Sequence, residues 1–144
     1  NIIRVKSLGF DKIDDVDVTN LVPQPREAEH SASLIRGVAK GIVDAGGNLK
    51  AFVRQDGAFI GSIDVSTKKA VTARYFNMPT STLGAASQPG QELFGIEATN
   101  GGLVIFGGGE LLIRDNVIVG AIGVSGGSVA EDTNVAKAGA AALK

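Results

Sequence analysis

Apolar positions change period along this chain, and each change marks an element. Ala28, Ala32, Ile35 and Ala39 recur at helical spacing and form a narrow apolar stripe. Pro25 suits the first turn of that helix, and Glu27 and Glu29 complement the positive end of its dipole. Short strand-like runs follow, at residues 41–43 and 48–54. The turn Asp44-Ala45-Gly46-Gly47 joins them as a hairpin, and Gln55-Asp56-Gly57 ends the second run. A helix is predicted over residues 62–76, in which Asp64 and Lys68 make a favourable i, i+4 pair. Ala70 and Ala73 give that helix a small face for close packing on a sheet. Pro79 is the expected breaker, and residues 81–87 add a short turn of helix before Pro89-Gly90.

Three more strands are predicted at residues 102–106, 110–114 and 117–124. Gly107-Gly108-Gly109 and Asp115-Asn116 separate them at meander spacing. Ser128 and Glu131 then form a capping box for an alanine-rich helix over residues 129–143. The order helix, two strands, helix, three strands, helix predicts an α+β domain with a five-stranded antiparallel sheet flanked by helices. That domain spans residues 25–144. Residues 1–24 form a separate N-terminal arm, in which Ile2, Ile3 and Val5 suggest a short strand and Asp11, Asp14, Asp15 and Asp17 a solvated acidic stretch. The acidic spacing lacks the glycine and closing glutamate of a calcium loop.

Composition narrows the chemistry. A chain of 144 residues is one domain's worth. Its net charge of −1 gives no footprint for a nucleic acid, and no apolar run approaches the ~20 residues that span a bilayer. There is no cysteine, hence no disulfide frame and no thiolate metal site. A single histidine excludes a multi-histidine metal centre within one chain. The chain opens at Asn1 instead of methionine, as expected of a processed or trimmed product, and compartment is left open.

Three features invite a chemical reading. Gly123-Val124-Ser125-Gly126-Gly127 matches the G-x-S-x-G nucleophile elbow letter by letter. Its context disagrees: the sheet is antiparallel, and the one histidine, His30, lies upstream of the serine. A glycine turn into a capped helix accounts for the same letters, so a hydrolytic Ser125 is disfavoured. The glycine clusters also lack the spacing of a phosphate loop. His30 stands about 200° around its helix from Ala28, away from the alanine stripe, with Leu34 at i+4 on the same second face. A helix apolar on two sides packs on two things. His30 is therefore either an exposed or interface histidine or an axial haem ligand, for which one imidazole is enough. Arg54, Lys68, Lys69 and Arg74 bracket the hairpin and the second helix. They suit carboxylate partners such as haem propionates, or they are solvated charges and local pairs such as Asp64–Lys68.

An ordered series of motifs then carries a resemblance. Val43-Asp44-Ala45-Gly46-Gly47-Asn48-Leu49, Arg54-Gln55-Asp56-Gly57-Ala58, Ile63-Asp64-Val65-Ser66 and Lys69-Ala70-Val71-Thr72-Ala73 resemble the GlcG/HbpS family of haem-binding or haem-degrading domains. So do Gln88-Pro89-Gly90, Gly107-Gly108-Gly109, Gly120-Ala121-Ile122-Gly123-Val124-Ser125-Gly126, and Asp132 ahead of an alanine-rich helix. The C-terminal domain of PduO-type corrinoid adenosyltransferases is similar. The resemblance covers about residues 41–144. It implies a profilin-like α/β/α sandwich and homo-oligomers, from dimers to octamers. It also implies a tetrapyrrole ligand, with His30 on the haem iron and Arg54 and Lys69 beside the cofactor. A cofactor-free scaffold in corrinoid, diol or glycolate metabolism is the alternative. One departure stands out: only nine residues, Ile35 to Val43, separate Leu34 from Asp44. Either the first strand is abbreviated or a segment is missing from the numbered chain.

Overall fold

A computed structural model describes residues 37–143. They form strands β1 (Ala39–Asp44) and β2 (Leu49–Arg54), helices α1 (Ser62–Phe76) and α2 (Thr80–Ala86), and a single 3-10 turn at Ile96–Ala98. Strands β3 (Gly109–Arg114) and β4 (Val117–Ser125) and helix α3 (Val129–Ala141) complete them. The predicted first helix, His30 and the acidic arm lie outside the described residues.

The strands form one antiparallel sheet in the order β2-β1-β4-β3. Alternation along β4 sends its side chains to two layers. Ala121 joins Val43 of β1 and Ala70 and Ala73 of α1 on one face. Ile122 and Val124 join Ile42, Leu112 and Ala136 of α3 on the other. A helix therefore covers each face, as the sandwich expectation required.

Both hairpins are fixed by local chemistry. Asp44 Oδ1 accepts the N–H groups of Gly46 and Asn48, each at 2.9 Å, and Gly47 takes a φ of +81°. Between β3 and β4, Asp115 and Asn116 adopt φ values of +51° and +62°, the pattern of a two-residue turn whose twist matches the strands. Helix α1 ends at Asn77, in the left-handed conformation with φ +54°, two residues before the predicted breaker Pro79.

Two expectations are corrected. The sheet has four strands among the described residues, not five. Residues 102–106 form no ladder, because their polar groups bond elsewhere. Leu103 N–H donates to the Glu97 carbonyl at 2.9 Å, and Val104 N–H to Thr72 Oγ1 of α1 at 3.1 Å. The Ile105 carbonyl sits so close to α2 that a Cβ on Gly84 would lie 1.8 Å from its oxygen. The segment is thus held against the helices. Ala39 is likewise not helical: it opens β1, where it pairs with Arg54 on one side and Ser125 on the other. With Ala39 and Lys40 included, β1 runs six residues and is not abbreviated.

The α3-side face of the sheet carries two buried ionisable groups. Lys40 is 3% exposed and its Nζ has no hydrogen-bond partner among the described residues; the same holds for Oε1 of Glu110. Burial pushes the Lys40 ammonium down to about 8 from an ordinary 10.5. Burial pushes the Glu110 carboxyl upward, partly offset by the charge of Lys137. For Lys40 the folded-state pKa lies below the unfolded value. The unfolded chain therefore binds more protons between about pH 8 and 10.5, and stability rises with pH across that window. Lys40→Met should stabilise the protein by about 1–3 kcal/mol at pH 7, and the gain should disappear near pH 10.5. Urea midpoints of both proteins at the two pH values measure this; a gain that does not change with pH contradicts it.

Candidate functional site

The densest polar chemistry lies where α1, the glycine loop before β3, the end of β4 and the start of α3 meet. Ser66, Lys69, Ala70 and Ala73 repeat at i, i+3, i+4 and i+7, so Lys69 falls on the buried face of α1 among small residues. Its side chain is fully enclosed. Its Nζ donates to Asp132 Oδ2 at 2.9 Å and to the Val124 carbonyl at 2.8 Å, and it stands 4.9 Å from the centre of the Phe106 ring. The other oxygen of Asp132 accepts the Gly127 N–H at 2.9 Å. Burial lowers the Lys69 pKa, while the hydrogen bond and charge of Asp132 raise it.

The glycines make this arrangement possible. A Cβ on Gly108, whose φ is +111°, would lie 2.7 Å from Lys69 Nζ and 2.8 Å from the Val124 oxygen. A Cβ on Gly123 of β4 would lie 1.9 Å from the Ser66 carbonyl oxygen. Helix α1 thus rests directly on the backbone of β4, and the long lysine side chain threads past the glycine loop to reach Asp132.

The N-terminus of α3 is already supplied with anions. Ser128 N–H donates to Glu131 Oε2 at 2.8 Å, and Glu131 N–H donates to Ser128 Oγ at 3.2 Å, the predicted capping box. The backbone and hydroxyl of Ser128 hold the Glu131 carboxyl below its ordinary pKa. With Gly127 N–H bonded to Asp132, the protein's own carboxylates take the two amides that lead into α3.

Ser125, the serine of the elbow-like motif, is buried at the end of β4. Its hydroxyl donates to Ser62 Oγ at 3.0 Å. A hydroxyl is not a general base, and the serine stands within the ladder opposite Ala39, not at the tip of a strand-to-helix turn. Gly126 makes that turn with a φ of +142°, packed against Gly37 and Val38.

The cations of the sequence reading take separate positions. Arg54 closes β2, is exposed, and donates from Nη1 to the Ala58 carbonyl at 3.2 Å. Lys68 pairs with Asp64 at 3.1 Å on the outer face of α1. Arg74 lines an open groove of about 440 Å³ with Ala45, Gly46, Tyr75, Phe76 and Asn100. Lys69 is engaged by Asp132 and Val124, so Arg54 and Lys69 have different partners. The link from Lys69 to Asp132 spans 63 residues, and sequence reasoning missed it. Its one signal was a lysine inside the stripe of small residues. No group of three or more His, Cys, Asp and Glu residues capable of holding a metal occurs among the described residues. No described helix is long and apolar enough to cross a membrane.

Removing one member of the buried pair strands the other. Asp132→Asn should cost about 3–5 kcal/mol, read from urea unfolding, whereas Lys69→Met with Asp132→Leu should recover much of the loss. A single Asp132→Asn variant as stable as the parent would show that the pair is not the anchor described.

The comparisons with known proteins bear on the whole domain. The family model described as haem degrading protein HbpS-like matches residues 27–141. An uncharacterized 15.0 kDa protein of Citrobacter freundii, from the dhaT-dhaS intergenic region, is 43% identical over 67% of this chain and 68% of its own length. The corrinoid adenosyltransferase PduO of Salmonella typhimurium is 38% identical over 80% of this chain, which spans about a third of that enzyme (34%). Among solved structures, Klebsiella pneumoniae ORFY superposes with a TM-score of 0.78 at 33% identity, over 96% of this chain and 97% of that one. A PduOC:haem complex follows at 0.75 and 34%, over 96% of both chains. Streptomyces reticuli HbpS, as a double mutant, gives 0.71 and 30%, over 88% of this chain and 84% of that one.

Proposed function

Because this chain belongs to the HbpS-like family, we propose that it is a haem-binding, oligomeric module. The observation that carries the proposal is the likeness, over 96% of both chains, to a PduOC domain solved with haem.

The residues present fit part of what a haem requires. Ile60 and Ile63 leave apolar surface exposed at the start of α1, with Ile60 81% exposed. Such surface suits a flat hydrophobic ring or a neighbouring subunit. Arg54 has guanidinium donors beyond the one it gives to Ala58, so it is our candidate for a propionate carboxylate. Lys69 contributes differently. A propionate could reach its ammonium only by displacing Asp132, so Lys69 shapes the site through the glycine loop. The iron ligand we assign is His30, the one histidine of the chain. When bound, the haem supplies an iron centre whose reactivity the protein tunes through that ligand and the surrounding charges.

Haemin titration followed by absorbance tests the reading. The parent protein should give a saturable Soret shift, and His30→Ala should weaken binding at least tenfold and move the Soret maximum. Absence of any saturable change removes the haem reading. An identical titration with His30→Ala retains haem but transfers the iron to another ligand.

A further inference from the structure

We propose that the groove between the C-terminal end of α1 and the β1–β2 turn binds a small carboxylate with a flat apolar body, held by Arg74 and independent of any haem.

Three separate stretches of chain build this groove of about 440 Å³: Ala45 and Gly46 of the turn, Arg74, Tyr75 and Phe76 of α1, and Asn100 beyond the 3-10 turn. Its size suits a small molecule. Arg74 lies about 16 Å along α1 from Ile63 at the helical rise per residue, so the groove is separate from the apolar surface offered to haem.

The guanidinium is positioned but uncommitted. Its Nε is enclosed and has no hydrogen-bond partner, so packing alone fixes the inner part of the side chain. Nη1 donates to Oδ1 of Asn77, the residue that ends α1, at 2.5 Å. Arg74 forms no ion pair among the described residues. The remaining terminal N–H groups are left to meet a ligand, and their planar fork matches the two oxygens of a carboxylate. A cation in the last turn also complements the helix dipole, but that role requires neither an enclosed nitrogen nor a concave surface.

The walls select what accompanies the charge. Tyr75 is 51% exposed, and its ring edge rests on the turn: a Cβ on Gly47 would lie 2.6 Å from Tyr75 Cε1. The turn thus holds the ring while leaving half of it open. Phe76 adds a second, half-buried ring, and a flat apolar body gains contact from both. A phosphate is less well served. Gly46 N–H already donates to Asp44 Oδ1 at 2.9 Å, and Arg74 is the only cation among the described lining residues. One guanidinium balances the single charge of a carboxylate better than the nearly double charge of a phosphate ester.

The chain has one tyrosine and no tryptophan, so its intrinsic emission reports on Tyr75 itself. Phenylacetate titrated into the haem-free full chain should change that emission saturably, with a dissociation constant of about 1 mM. It should also shift the amide resonances of Gly46 and Asn100. Neutral phenylacetamide should bind the parent about tenfold more weakly, and Arg74→Gln should weaken phenylacetate by a similar factor. Lys68→Gln, on the outer face of the same helix, should bind as the parent does. An unmoved Ile122 amide controls for folding, and the phenylacetamide comparison needs no variant at all. Parent-like affinity in a folded Arg74→Gln overturns the proposal, as does equal binding of phenylacetamide. Inorganic phosphate binding as tightly as phenylacetate overturns the assigned ligand class. A parent with no saturable change removes the site and leaves the haem reading, judged by its Soret band, standing.

Discussion

The closeness of α1 to β4 is the constraint on which the rest of the described structure depends. Gly123 and Gly109 remove side chains that would hold the helix off the sheet, because a Cβ at Gly123 meets the Ser66 carbonyl at 1.9 Å and one at Gly109 meets the Lys69 carbonyl at 2.5 Å. Ala70, Ala73, Ala121 and Val43 then close the layer with small side chains. At that separation a lysine on the inner face of α1 cannot find water. It extends to the end of β4 and the start of α3, where the Val124 carbonyl and Asp132 receive it. A close approach allowed by these glycines thus sets the position of the glycine loop, the final strand and the final helix.

The Lys69–Asp132 pair shows why charge in the interior is tolerated in one place and strained in another. Lys69 has a carboxylate, a carbonyl and a ring face around its ammonium. Lys40, on the opposite layer, has no described partner, and its affinity for the proton falls accordingly. The first is an anchor between elements far apart in sequence. The second is a cost that the fold carries for having a lysine in its central layer.

The elbow-like motif illustrates how the same letters change meaning with context. Gly123 is small for α1, Ser125 bonds to Ser62, and Gly126 turns the chain past Gly37. Ser128 and Glu131 then cap α3. Each of these residues has a packing or capping partner, and the family comparison places the domain in the HbpS-like family.

Local chemistry was legible in the sequence. Helical periodicity marked α1 at its observed limits, Asp115-Asn116 marked its hairpin, and Ser128 with Glu131 marked the start of α3, because each depends on neighbours within a few residues. The resemblance to the GlcG/HbpS family was legible for the same reason, since its motifs are short runs of neighbouring residues. Tertiary structure alone decided three things. Ala39 fits a helical stripe by spacing, yet it is a strand residue because β2 and β4 offer it partners on both sides. Residues 102–106 are an apolar run that reads as a strand, yet they bond to Thr72 and nest beside Gly84, since the helices compete with the sheet for their backbone groups. Lys69 reads as an available cation, yet its partner lies 63 residues away. Contacts of that range depend on how layers stack, and no local pattern encodes the distance at which α1 meets the sheet.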